Sequence, residues 1–206
     1  AIHQAIRIFQ LNRIAEQETP LRELHDVFRK AWQAEGFLTR EHEEMRLQQG
    51  LKALTAFHAA ETASESIPTY VEKRFSITLD DVRLVGIFDR IDIVDGNGTI
   101  IDYKTSDIRT EEQAVRRAKG SRQLALYSLA YRQLFGGLPN ALELRFLTPD
   151  VVIGHTVPTE KMLDKALQEM ETACAGIRSG EFPGEPQYRA CEYCPYSGIC
   201  PDRKMV

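Results

Sequence analysis

No stretch of this 206-residue chain is apolar for long enough to cross a bilayer, and no signal-peptide pattern opens it, so the expectation is a cytoplasmic protein without a membrane anchor. Nor is there an excess of positive charge: 26 Lys and Arg against 30 Asp and Glu leave a formal charge of −4. That balance excludes a global pull toward nucleic acid. Any such affinity has to come from local basic patches, or from metal ions bridging acid to phosphate. Cysteine is scarce, four residues in all with three crowded near the end, which suits a metal site better than a secreted disulfide framework. A G-x-x-x-x-G-K-[ST] loop is absent, so any ATP-driven motor lies outside these residues. What is present is ordinary for a globular protein, with 43% hydrophobic and 27% charged residues in a chain long enough for one domain with a sizeable core.

The informative stretch is residues 86–104, GIFDRIDIVDGNGTIIDYK. It reads as two β-strands joined by a turn at Gly96-Asn97-Gly98. Alternation puts Asp89, Ile91 and Ile93 on one side of the first strand, and Asp102 and Lys104 on one side of the second, with Ile100 behind them. The same alternation turns Arg90 and Asp92 away from Asp89 and makes Asp92 the poorer ligand. A hairpin can then bring Asp89, Asp102 and Lys104 together, a set suited to a divalent cation and a phosphodiester. Asp102-Tyr103-Lys104 alone is equally a surface ion pair. The setting argues for more: Ile87-Phe88 leads into Asp89 and Ile100-Ile101 into Asp102, and charge on such apolar strands is costly without a task or a partner.

Around the hairpin, residues 1–16 have the pattern of an amphipathic helix (Ile2, Ile6, Phe9) that begins without a cap, as if cut from a longer chain. Pro20 opens a second helix with the stripe Leu21, Leu24, Phe28 and Trp32, closed by Gly36. Thr39 caps a third, running to about residue 60, with Met45, Leu47, Leu51, Leu54 and Phe57 as its core face. His25 and His42 lie in charged helical stretches and read as solvated. Residues 69–79 alternate as a strand with Glu72 on the face opposite Val71, Lys73 and Phe75. Residues 106–121 form a polar connector in which Arg109, Arg116, Arg117, Lys119 and the adjoining Arg122 could meet phosphate. A helix over residues 122–135 sets Gln123 and Tyr127 on one face and Leu126, Leu129 and Ala130 toward the sheet. A second hairpin turns at Pro149-Asp150. Thr159 caps a last long helix whose stripe of Leu163, Leu167, Met170, Cys174 and Ile177 places Cys174 in the core. The tail spacing Cys191-x2-Cys194-x5-Cys200 suits zinc or an iron–sulfur centre alike, one thiolate short of a closed site.

GIFDRID followed by IIDYKTS, and then by Gln123-Leu-Ala-Leu-Tyr127, resembles the core of the PD-(D/E)XK nuclease superfamily in its RecB-like branch. The resemblance runs from His3 to Cys200. It implies an α/β fold of the restriction-endonuclease kind, with a central mixed β-sheet flanked by helices and an N-terminal helical subdomain. Residues 1–206 would form one nuclease domain, divided into a helical part (1–66), a core (67–180) and a cysteine-bearing tail (181–206), as a fragment of a longer protein.

The resemblance implies Asp89, Asp102, Lys104, Gln123 and Tyr127 as catalytic residues, with Glu72 in second rank. It implies His3, Asp89, Asp102 and the backbone carbonyl of Tyr103 as holders of Mg2+ or Mn2+, His3 being the end of a G-x-x-x-H motif whose glycine would precede Ala1. Cys191, Cys194 and Cys200 resemble the tail that, in AddB and helicase-fused relatives, holds a [4Fe–4S] cluster with a fourth, upstream cysteine that these residues lack. The activity implied is metal-dependent DNA hydrolysis of the exonuclease kind, beside a helicase domain or subunit in recombination and repair. The alternatives are a stand-alone exonuclease of the CRISPR-adaptation type and a non-catalytic DNA-end-binding module with the same fold.

Overall fold

The computed structural model describes every residue except 149, 193, 205 and 206, and describes the backbone alone at 148, 188 and 189. The chain divides into two compact units, Ala1–Ala166 and Leu167–Val206.

The first unit opens with three helices. Helix α1 (Ile2–Ile14) buries Ala5, Ile6, Phe9 and Gln10, spaced so that they form one stripe. Helix α2 (Leu21–Lys30) buries Leu24 and Phe28 and stops well before Gly36. Trp32 lies just past its end, edge-on to Phe28 and stacked on Phe37. Helix α3 (Arg40–Thr62) starts where Thr39 accepts a hydrogen bond from the His42 N–H, as a capping threonine does. Leu51, Leu54 and Phe57 are buried on it, whereas Met45 is 48% exposed.

Five strands follow, β1 (Tyr70–Leu79), β2 (Val82–Val94), β3 (Asn97–Asp107), β4 (Ala141–Thr148) and β5 (Val152–Thr156), in one sheet of order β1-β2-β3-β4-β5. The β3–β4 pair is parallel and the other three pairs are antiparallel, which is the mixed sheet flanked by helices expected of the chain. The turn between β2 and β3 is not Gly96-Asn97-Gly98. Val94 pairs with Asn97, and Asp95 and Gly96 make the turn with φ of 50° and 81°. A two-residue loop with positive φ at both positions has the twist that matches flanking strands, and Asp-Gly supplies it. Strands β4 and β5 pair as the expected second hairpin, and Pro149, named for its turn, lies outside the described residues.

A parallel β3–β4 pair needs a crossover. It is made by α4 (Glu111–Lys119) and α5 (Arg122–Phe135). The stretch expected to be a polar connector is thus largely a helix. Thr110 caps it by accepting from the Gln113 N–H, acids occupy its first turn, Arg116, Arg117 and Lys119 its last, and Ala114 and Ala118 are its buried pair. Small residues suffice there because α4 lies almost against β5: a side chain at Gly154 would collide with the Ala114 carbonyl. On α5, Leu126 is only half-buried while Leu124 and Tyr131 are buried. Gly136 closes α5 at φ 81°.

The sheet separates two cores. Phe75, Ile77, Phe88, Ile91, Ile100 and Leu144 pack beneath α4 and α5. Ile101, Tyr103 and Leu147 pack on the other side against Ile6, Phe9, Leu54 and Phe57 of α1 and α3.

The boundary between the units falls inside α6 (Glu160–Ser179), which Thr159 caps through the Met162 N–H. Leu163 and Ala166 are buried, but Cys174 is only half-buried and Ile177 is 64% exposed, so Cys174 is not a core residue. The unit that holds both spans only residues 167–206, too short to enclose a core of its own. Helix α7 (Tyr188–Glu192) carries Cys191. Among the described residues no helix is long and apolar enough to span a membrane.

Candidate active site

Strands β2 and β3 stay in register from Val94↔Asn97 to Arg90↔Ile101 and part there. Tyr103, two residues on, gives its N–H to the side chain of Asp89 instead, with Oδ2 2.9 Å away. A carboxylate thus takes the place of a ladder acceptor at the point where the strands separate. Side-chain alternation changes phase at the same point. Phe88 and Ile91, three residues apart, lie in the same core, so Asp89 does not share a face with Ile91 and Ile93 as strict alternation requires. Opposite Asp89 on β1 stands Glu72, whose φ of 46° lies in the left-handed region.

On β3 the alternation holds. Ile100 faces the α5 core, Ile101 and Tyr103 face the α1–α3 core, and Asp102 and Lys104 share the side of Ile100. Lys104 Nζ stands 2.7 Å from the buried Asp102 Oδ2 as its ion-pair partner. Burial raises the Asp102 pKa to about 6, with the charge of Asp89 adding to the effect and Lys104 offsetting part of it. Asp102 is 1% exposed.

The α5 pair holds this arrangement from one side. Gln123 Oε1 accepts from Lys104 Nζ at 2.6 Å, and Gln123 Nε2 donates to the Tyr127 hydroxyl at 2.8 Å. That hydroxyl donates to the Ile87 carbonyl at 2.6 Å, two residues before Asp89. One turn of helix therefore fixes the ammonium and the strand that bears the other carboxylate. Burial raises the Tyr127 pKa to about 12, so the phenol stays a donor.

From the other side comes α1. His3 Nε2 lies 3.1 Å from the Tyr103 carbonyl oxygen and 3.6 Å from Asp89 Oδ2. His3, Ile6, Arg7, Val71, Glu72, Asp89 and Tyr103 line one small pocket. Glu72 is at its rim with Oε2 2.8 Å from Arg7 Nε.

The donors so assembled are two carboxylates, one imidazole and one peptide oxygen, a hard-ligand set of the kind Mg2+ and Mn2+ prefer. The buried Asp102 carboxylate, with one lysine as its counter-charge and a second carboxylate near it, fits a cation. Among the described residues, no three His, Cys, Asp or Glu side chains are drawn close enough to form a ready cage, at this site or in the tail. Cys191, Cys194 and Cys200 are free, half-buried thiols, held locally by turns such as the Cys200 N–H to the Tyr196 carbonyl, 2.9 Å.

Behind Tyr103 lies a cluster that sequence reasoning missed. Glu61 accepts from Arg13 at 2.8 Å, Arg90 at 2.7 Å, Arg145 at 2.6 Å and Gln10 at 3.0 Å, and Gln10 also donates to the Tyr103 hydroxyl at 3.0 Å. Arg90 is fully buried, and Asp92 is paired to it at 2.7 Å, which removes Asp92 from ligand duty. A signal was available. Glu61 follows Phe57 by four residues and Gln10 follows Ile6 by four, so each is a polar residue on an apolar stripe.

The profile of the PD-(D/E)XK nuclease superfamily matches residues 1–201. Among solved structures, a protein of Eubacterium rectale provisionally named an exonuclease is 14% identical, with 99% of this chain and 77% of that one covered and a TM-score of 0.52. The protein SSO0001 is 15% identical, with 99% and 84% covered and a TM-score of 0.46. No curated protein matches.

Proposed function

The chain belongs to the PD-(D/E)XK nuclease superfamily, and from that premise we propose that it hydrolyses phosphodiester bonds of DNA with the help of Mg2+ or Mn2+. The observation that carries the proposal is the buried Asp102 carboxylate, paired only with the Lys104 ammonium at 2.7 Å and pushed up in pKa by burial and by the neighbouring Asp89. In this reading Asp89, Asp102, His3 and the Tyr103 carbonyl hold the cation, which polarises the phosphoryl oxygen and acidifies a bound water. Lys104 steadies negative charge developing on the phosphate or orients the water. Gln123 and Tyr127 position Lys104 and β2.

Exonucleolytic action, in processing DNA ends for recombination and repair, is the finer form of the proposal. The name of the Eubacterium rectale neighbour favours it. A cytoplasmic location, a helicase domain or subunit as partner, and a domain within a longer protein complete the reading. The tail cysteines form an iron–sulfur site in that parent, completed by an upstream cysteine. Iron content and visible absorbance of a chain extended at its N-terminus test this point.

The central test is degradation of linear DNA by the purified chain with Mn2+, with EDTA, and after Asp102→Ala. Loss of a ligand that supplies several kcal/mol of transition-state stabilisation lowers the rate by about 10³-fold. An Asp102→Ala chain that cuts as fast as the parent, or a parent that binds DNA ends and never cuts them, would leave the non-catalytic end-binding module.

A further inference from the structure

We propose that Arg7 binds a phosphate of the DNA strand and that Glu72 is the residue that positions Arg7, not a ligand of the metal. The inference rests on the nuclease reading above and assigns the α1 wall of that site.

Arg7 follows His3 by four residues on α1, so both side chains project from one helix face into the same pocket. Across that pocket the carboxylate of Glu72 is engaged by Arg7, 2.8 Å away. Asp89 already receives the Tyr103 N–H, and Asp102 already faces Lys104. Glu72 is held at φ 46°, a conformation that side chains rarely adopt, between the paired positions Val71↔Arg90 and Lys73↔Phe88.

Charge explains why an arginine is needed there. Two carboxylates at the centre repel a phosphodiester, and the chain carries a net −4, so attraction has to be local. Lys104 supplies one positive charge from the α5 side of the sheet. Arg7 supplies the second from the α1 side. Its guanidinium has five donors in a fork that matches phosphate, and one carboxylate does not exhaust them. Arg7 is 45% exposed and within reach of a strand laid across the pocket. Glu72 gains in turn, since a third carboxylate beside Asp89 is neutralised by the arginine it orients. An ion pair this exposed adds little to folding, so its removal leaves the fold in place.

The whole chain is compared with Arg7→Ala, Glu72→Gln and the double variant. Mn2+ affinity is read by titration calorimetry without DNA. Binding of a fluorescent oligonucleotide in Ca2+ is followed across salt concentrations, and KM for linear DNA is measured in Mn2+. Arg7→Ala is expected to weaken DNA binding about tenfold and to lower the salt slope by about one, with Mn2+ affinity unchanged. Glu72→Gln is expected to give a smaller rise in KM that vanishes in the Arg7→Ala background. A drop in Mn2+ affinity on Glu72→Gln makes Glu72 a ligand and overturns the proposal. So does an unchanged salt slope on Arg7→Ala while the parent still cuts DNA. If the parent neither binds nor cuts DNA, it is the nuclease reading that falls, and this inference with it.

Discussion

Glu61 and Asp102 are carboxylates in one unit, with side chains only 4% and 2% exposed, yet their pKa values move in opposite directions. Burial works to raise both pKa values. At Glu61 the charges of Arg90 and Arg145 outweigh it and hold the carboxyl below its ordinary range. At Asp102 burial wins, helped by Asp89, and the pKa rises to about 6. The difference lies in the partners: Glu61 has three arginines and a glutamine, while Asp102 has one lysine that is itself held by Gln123. A saturated buried acid is a structural joint. An unsaturated one is under electrostatic stress that a further cation would relieve.

The comparison breaks most visibly at Glu61. Glu61→Ala leaves three buried or half-buried arginines without their common partner, and the expected loss is about 3–5 kcal/mol of stability, read from urea unfolding. If the variant unfolds at the same urea concentration as the parent, the cluster is not a joint.

The next effect is in the pH dependence of the metal-free protein, where the two acids have opposite signs. Asp102 has a raised folded-state pKa, so the folded chain holds its proton more tightly than the unfolded one. Stability is lost as pH rises from about 4 to about 6, by about 3 kcal/mol, and stays lost above. Glu61 has a lowered pKa, so its contribution is present above the unfolded value and is lost as pH falls through the folded one. Asp102→Asn should therefore be more stable than the parent at pH 8 and differ little at pH 4, measured by urea midpoints in EDTA. Equal midpoints at both pH values would remove the stress assigned to Asp102.

The smallest effect sharpens the site itself. Gln123→Ala frees Lys104 from its acceptor and should slow Mn2+-dependent DNA cleavage about tenfold, the worth of one hydrogen bond to a charged group, with little change in melting temperature. A cleavage rate equal to the parent's would show that Lys104 needs no such support.

Much of this was legible before any coordinates. The period-two pattern of residues 97–104 put Asp102 and Lys104 on one side, and β3 keeps that pattern because both its faces are buried and a slip would reverse them. The four-residue spacing of Gln123 and Tyr127 predicted a shared helix face, and the two are hydrogen-bonded on α5. Other features were hidden for physical reasons. Asp89 lies where alternation changes phase, level with the positive-φ backbone of Glu72 on another strand, and no local pattern in β2 records either. Helix α4 buries only alanines against a neighbouring strand, so its apolar stripe is too faint to stand out among charges. The turn was misplaced by one residue because Asp95-Gly96 and Gly96-Asn97-Gly98 carry similar turn chemistry, and cross-strand pairing chose between them.

By itself the sequence determined the family, the strands and helices that bear the site, and the identities of its charged residues, since these follow from local periodicity and residue chemistry. Only the tertiary structure decided which charges are satisfied. Glu61 meets arginines from three separate segments, at positions 13, 90 and 145, whereas Asp102 meets one lysine two residues away. Counter-charges brought from distant segments set whether a buried acid becomes a strut or a reactive group, and their arrival depends on how the helices and sheet pack.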